Sequence, residues 1–139
     1  MSRLSSEMVH ATTVAKDGRA VVIAGRSGSG KSDLALRLID RGFVLVSDDQ
    51  TLISKANGKL IASAPTTIRG KIEVRGIGIL EVDQADSAAV SLWIELGNEI
   101  KRLPDEEKHL ILGIEVPKFS LDAMTASAPI KVELALGML

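Results

Sequence analysis

The chain has 139 residues, 45% hydrophobic and 25% charged, with a formal net charge of −1 and no cysteine. That length predicts one domain able to bury its own core, and the missing cysteines exclude disulfides, thiol catalysis and cysteine-ligated metal. Near-neutral charge with no basic run argues against a nucleic-acid partner, and no stretch approaches the roughly eighteen apolar residues of a membrane span.

In chain order, Met1 to Val9 is polar and lacks the apolar core of a signal peptide, so a cytoplasmic protein is expected. Val9 to Ala15 and Arg19 to Ala24 read as strands joined by a hairpin turn at Lys16-Asp17-Gly18. The second is continuously apolar, as a strand buried on both faces should be. After the loop Gly25 to Gly30, Ser32 to Arg41 carries Leu34, Ala35, Leu38 and Ile39 at helical spacing, and Gly42 closes the helix. Phe43 to Val46 is a short apolar strand ending at Ser47-Asp48-Asp49. Thr51 to Ser54 and Lys59 to Ala64 flank Asn57-Gly58, a strong hairpin signal. Lys71 to Val74 and Ile77 to Val82 look extended. Ser91 to Glu95 and His109 to Val116 read as strands on either side of a charged stretch, Glu99 to Lys108. Pro129 to Met138 reads as a terminal helix with proline in its first turn. With only two Phe, one Trp and no Tyr, the core must be aliphatic. The expectation is an α/β fold in which strand and helix alternate once and the remainder is mostly β.

Gly25-Arg26-Ser27-Gly28-Ser29-Gly30-Lys31-Ser32 matches G-x-x-x-x-G-K-[ST], and it lies between a buried strand and a helix, as that motif requires. Glycines let backbone N–H groups turn inward around phosphates, and the helix N-terminus adds partial positive charge. Lys31 is placed to reach the outer phosphates and the Ser32 hydroxyl to ligate Mg²⁺, so ATP with Mg²⁺ is the expected ligand pair. A further carboxylate is needed for the cation or for the acceptor's proton. Two strand ends supply candidates, Asp48-Asp49 and Glu81, and Asp48-Asp49 also reads as the opening of a turn. There is no N-K-x-D segment for guanine, no L-S-G-G-Q segment of a transporter ATPase and no arginine-rich lid of a nucleotide kinase. Three readings stay open on these residues: a protein kinase, a small-molecule kinase and a nucleotide-sensing module.

Three blocks in order resemble the bifunctional HPr kinase/phosphorylases, which phosphorylate a serine of the phosphocarrier protein HPr in the bacterial sugar phosphotransferase system. They are Gly25 to Leu36, then Asp40-Arg41-Gly42 leading to Val46-Ser47-Asp48-Asp49, then Glu73-Val74-Arg75-Gly76-Ile77-Gly78-Ile79-Leu80-Glu81-Val82. The third is similar to that family's signature. The resemblance implies a single P-loop domain over residues 1–139 with a phosphoenolpyruvate carboxykinase-like nucleotide-binding core, in a short form without the family's N-terminal domain. It implies a cytoplasmic, ATP- and Mg²⁺-dependent serine kinase, an HPr-like substrate protein and a homo-oligomer, often a hexamer. It further implies that Asp49 is the proton acceptor with Asp48 beside it, and that Glu73 joins Ser32 as a Mg²⁺ ligand. His10, 21 residues before Lys31, falls at the family's catalytic histidine, and Arg102 at a phosphate-contacting arginine. Two departures stand out. Pro104 replaces the glycine of the family's R-L-G, and a Gly-Arg-Asn element tied to the phosphorylase reaction is missing between Pro117 and Ile130, so a kinase lacking strong phosphorylase activity is expected.

Overall fold

A computed structural model describes residues 5–139; the first four residues of the polar Met1 to Val9 stretch lie outside the described part. Its elements in chain order are β1 (Ser6–Val9), β2 (Ala11–Lys16), β3 (Arg19–Ala24), α1 (Lys31–Asp40), β4 (Val44–Ser47), β5 (Thr51–Ala56) and β6 (Lys59–Ser63). A 3₁₀ turn (Thr66–Ile68) leads to β7 (Lys71–Val74), β8 (Gly78–Glu81), β9 (Ser87–Leu96), β10 (Glu107–Ile111), β11 (Ile114–Leu121) and α2 (Ala128–Gly137).

The fold is organised around β3 and β9, which run parallel with Val22 opposite Trp93 and Ile23 opposite Ile94. Along one edge the sheet continues through β2 to β4. On the other edge β9 is shared: its first residues pair with β6, and its last, from Trp93, pair in parallel with β11. β3 separates two cores because its side chains alternate between faces. Val21 and Ile23 meet the buried face of α1 (Leu34, Ala35, Leu38) and α2 (Val132, Ala135, Leu136). Ala20, Val22 and Ala24 meet Ile53, Leu60, Trp93 and Val116 on the opposite side. Burial on both faces explains the unbroken apolar run of β3. The three strands β3, β9 and β11 therefore end side by side, pointing the same way, and the phosphate-loop motif leaves the first of them.

Local signals were strongest at turns and caps. Asp17-Gly18 and Asn57-Gly58 both adopt positive φ at both positions (53° and 77°, 52° and 75°), the geometry of a type I′ hairpin. Gly42 closes α1 at φ 102°, its N–H donating to the Ile39 carbonyl at 3.1 Å.

Three expectations are corrected. His109 to Val116 is not one strand but the hairpin β10–β11, turned at Leu112-Gly113 with φ of 51° and 79°. Leucine seldom enters the left-handed region, so an apolar run concealed this turn. β11 then continues through Pro117 to Leu121; Pro117 lies opposite Lys108 of β10, and pairing with β9 begins only at Lys118. Val9 to Ala15 is divided by a bend at His10, which frees the preceding Ser6–Val9 to pair with β5 as an exposed edge strand. β9 is longer than Ser91 to Glu95, because its first residues are needed to pair with β6.

Candidate active site

The glycine loop is a cradle held by its own residues. Lys31 opens α1, is only 6% exposed, and its Nζ donates to the Gly25 and Arg26 carbonyls at 3.0 Å each. Gly30 caps the helix in the left-handed conformation at φ 99°. A Cβ on Gly25 would lie 2.6 Å from Ser29 Oγ and 3.1 Å from Leu96 Cβ, so only glycine fits there. The Ser29 hydroxyl is buried without a hydrogen-bond partner among the described residues. Such an orphan within a phosphate-loop motif fits a polyphosphate that would supply the missing acceptor.

Asp48 and Asp49 are neighbours in sequence yet serve opposite directions. Asp48 is 7% exposed, and its carboxylate accepts from Thr12 Oγ1 at 3.0 Å, Ser32 Oγ at 2.6 Å and the Glu73 backbone N–H at 3.0 Å. It is thereby fixed against the hydroxyl of the phosphate-loop serine. Asp49 sits at φ 67°, a conformation open to Asp more than to most residues. That twist sends its side chain outward, where it is 63% exposed and 3.6 Å from His10 Nε2. One hydroxyl connects the two acids: Thr12 Oγ1 donates to Asp48 and accepts the Asp49 N–H at 3.1 Å. Below it, Thr13 and Thr51 share a buried hydroxyl contact at 2.9 Å, and Thr51 donates to the Ala11 carbonyl. This threonine column pins β2, β4 and β5 where the acids emerge. Sequence reasoning missed it, since isolated threonines in a strand also read as β-formers.

The β7–β8 hairpin forms the far wall. Lys71, Glu73, Ile79 and Glu81 share one face of it, with Lys71 opposite Glu81 and Glu73 opposite Ile79, while Ile72 on the other face is buried. With Asp48, Asp49 and Gln50 these residues line a cleft of about 650 Å³. Both carboxylate sources named from the sequence thus meet at one cleft, with Asp48 on the loop serine and Glu81 across the gap. Ser32 Oγ and Asp48 are the donor pair suited to Mg²⁺, which usually takes one or two protein oxygens and completes its shell with phosphate and water. Glu73 is within the same cleft but exposed.

Arg102 is exposed in the connection between β9 and β10 and does not line the cleft at Asp48 and Asp49. The segment after β11 is seated on the phosphate loop instead. Arg37, one and a half turns along α1, donates to the Ala123 carbonyl and to the Thr125 carbonyl at 3.2 Å. Ala123 Cβ lies 3.0 Å from where a side chain on Gly30 would be. A second cleft of about 610 Å³ opens between Arg26–Ser29, the end of β9 and this segment. No helix among the described residues is long and apolar enough to cross a membrane.

Residues 2–134 match the family described as HPr Serine kinase C-terminal domain. Among curated relatives, HPr kinase/phosphorylase of Caldicellulosiruptor bescii is 42% identical over 122 residues, covering 78% of this chain and 39% of the relative. HPr kinase/phosphorylase of Clostridium botulinum is 36% identical over 127 residues, covering 81% and 41%. The chain spans about two fifths of the length of these relatives. The solved structure of the Hpr(Ser) kinase/phosphatase from Coxiella burnetii superposes with a TM-score of 0.85 at 32% identity, covering 95% of this chain and 89% of that one.

Proposed function

Because the chain belongs to the family of HPr serine kinase C-terminal domains, we propose that it carries out ATP- and Mg²⁺-dependent phosphorylation of a serine on an HPr-like phosphocarrier protein. The observation that carries this reading is the divergence of the two acids: Asp48 holds the loop serine, and Asp49 beside His10 faces an open cleft. A sensor needs only the first of these. The small-molecule kinase and sensor readings find no support among the relatives, which share the HPr kinase/phosphorylase name.

In this reading the acceptor serine enters the cleft between Asp49 and the β7–β8 hairpin. Asp49 takes the hydroxyl proton as the serine oxygen bonds to the γ-phosphorus and the bond to the β–γ bridging oxygen breaks, releasing ADP. His10 orients the Asp49 carboxylate. Lys31, drawn from the Gly25 and Arg26 carbonyls, meets charge on the outer phosphate oxygens. Ser32, Asp48 and Glu73 are the residues that would hold Mg²⁺, which when bound neutralises phosphate charge. Arg102 belongs to the reading only as a residue of an exposed connection that reaches the phosphates when substrate is bound. Cytoplasmic location and homo-oligomeric assembly complete the reading.

Incubation with γ-labelled ATP, Mg²⁺ and HPr should place the label on a serine, and folded Lys31→Ala should transfer none. Absence of transfer by the wild-type protein would sink the assignment. The reverse reaction should be weak. It brings inorganic phosphate to an already anionic centre, and Arg37, which reaches the segment that lacks Gly-Arg-Asn, is committed to the Ala123 and Thr125 carbonyls. Rapid, Lys31-dependent pyrophosphate release from serine-phosphorylated HPr and millimolar phosphate would show that segment to be dispensable.

A further inference from the structure

The turn that carries Asp49 is strained. The Gln50 N–H donates to the Asp48 carbonyl at 2.7 Å, and Asp49 between them sits at φ 67°. A bond spanning two residues around a positive φ is the rarer and more strained of the two γ-turns. Such a conformation persists only where the surrounding structure holds it, and it clusters where function needs it. The residue after it is braced from the strand side, because Ser47 Oγ donates to the Gln50 carbonyl. Asp49 itself is held by one backbone bond: its N–H donates to Thr12 Oγ1 at 3.1 Å, and it has no other acceptor among the described residues.

Thr12 is wholly buried near the start of β2, opposite Ile23 of β3 and two residues after His10. Its neighbours fix the sense of its hydroxyl. The Asp49 N–H can only donate and a carboxylate can only accept, so the one Thr12 proton goes to Asp48 Oδ1 at 3.0 Å. The same Asp48 oxygen takes the Ser32 hydroxyl at 2.6 Å. An unbroken chain of hydrogen bonds therefore leads from the phosphate-loop serine through Asp48 and Thr12 to the Asp49 backbone. Each link polarises the next: the Asp48 carboxylate draws on the Thr12 proton and makes the Thr12 oxygen a better acceptor for the Asp49 N–H.

Resting on the kinase reading above, we infer that Thr12 is a positioning residue for phosphoryl transfer: its hydroxyl holds the turn that aims Asp49 at the cleft and at His10, and it joins that turn to the phosphate loop. Being wholly buried, Thr12 is out of reach of either substrate. It acts through the Asp49 backbone, whose φ decides where the carboxylate points. Valine at this position would fill the same space and suit a strand equally well, but it offers neither a donor nor an acceptor. Asp48 would keep the Ser32 hydroxyl and the Glu73 N–H, so the cation side of the site survives. The Asp49 N–H would lose its partner, and the turn would relax toward an ordinary φ. That relaxation carries the carboxylate away from its 3.6 Å approach to His10.

Steady-state kinetics with ATP, Mg²⁺ and HPr, together with amide hydrogen exchange of the full chain, test this. Thr12→Val should lower kcat about tenfold to a hundredfold, as a base displaced by roughly 1 Å does, with the KM for ATP within about twofold of wild type. Thr12→Ser, which keeps the hydroxyl, should restore kcat. In the Asp49→Asn background Thr12→Val should cost little more, because the base it positions is already gone. A merely structural role would lower stability and leave kcat per folded molecule unchanged. The Asp49 amide should exchange slowly in the wild-type protein and in Thr12→Ser, although its side chain is exposed, and quickly in Thr12→Val. Wild-type kcat in Thr12→Val, or full additivity with Asp49→Asn, overturns the inference and leaves the kinase reading standing. No transfer by the wild-type protein overturns both. Rapid exchange of the wild-type Asp49 amide overturns the inference even if a variant does not fold.

Discussion

At the scale of single residues, two adjacent aspartates show how far one backbone torsion separates their roles. Asp48 is a buried acceptor for three donors, whereas Asp49, turned out by its positive φ, meets only His10 and solvent. Asn in place of Asp49 keeps the shape and removes the proposed base, so turnover should fall about 10²–10⁴-fold with ATP affinity nearly unchanged. Asp48→Ala should act differently. It orphans the Thr12 and Ser32 hydroxyls and the Glu73 N–H, so the protein should lose about 2–4 kcal/mol of stability at roughly 1 kcal/mol per bond, along with its Mg²⁺ response. Urea denaturation and steady-state kinetics of the two variants distinguish these outcomes. A turnover defect in Asp48→Ala without loss of stability, paired with an ATP-binding defect in Asp49→Asn, would reverse the assignment. Lys31 carries a similar lesson. From its position in the motif it reads as a side chain aimed outward at phosphate, yet it is buried and bonded to two loop carbonyls, so it shapes the loop as well as serving it.

At the scale of elements, the glycines of the loop are unequal although the motif treats them alike. Gly28 has φ 83° and open space around its missing side chain, whereas Gly25 has Ser29 Oγ and Leu96 in the way. Gly28→Ala should therefore cost about 1 kcal/mol of backbone strain and keep most ATP affinity. Gly25→Ala must displace Ser29 or the end of β9, so ATP binding should be lost in a protein that still folds. Calorimetry on both variants checks the ranking, and equal defects would show that strain, not the clash, limits the loop. The hairpins show why some elements were legible and one was not. Asp17-Gly18 and Asn57-Gly58 announce a turn because Asp and Asn enter the left-handed region readily. Leu112-Gly113 makes the same turn with no such signal, and Gly113 alone was insufficient.

At the scale of the whole molecule, the sheet sets a half-buried titrating group against the core. His109 stacks on Trp93, ring centroids 3.7 Å apart and planes 12° from parallel. Burial, and then the nearby Lys118 charge, holds its pKa below the ordinary 6.5, against weaker upward pulls from Glu95 and Glu7. The unfolded chain therefore binds this proton more readily than the folded one. Its contribution to stability is complete above pH 6.5 and falls as pH drops from 6.5 toward the depressed folded value. Urea midpoints followed by the fluorescence of Trp93, the only tryptophan, should decline between pH 7.5 and pH 5.5. The decline should be smaller in His109→Phe, which keeps the aromatic stack and removes the titration. An unchanged decline in that variant would assign the acid sensitivity to other groups.

Read as sequence, the chain already carried its glycine-loop motif, the strand and helix flanking it, the two acids at the end of β4 and the two extended segments beyond. All of these are local: a glycine pattern, an apolar run or a turn dipeptide specifies backbone conformation within a few residues. What required the tertiary structure was which acid faces which way, the Thr12 hydroxyl joining them, and the seat of the segment after β11 on the loop. Each depends on contacts between residues 16 or more positions apart. Such contacts are set by how β2, β4, β9 and β11 pair, and strand pairing is decided by burial of both sheet faces at once, which no short window of sequence expresses.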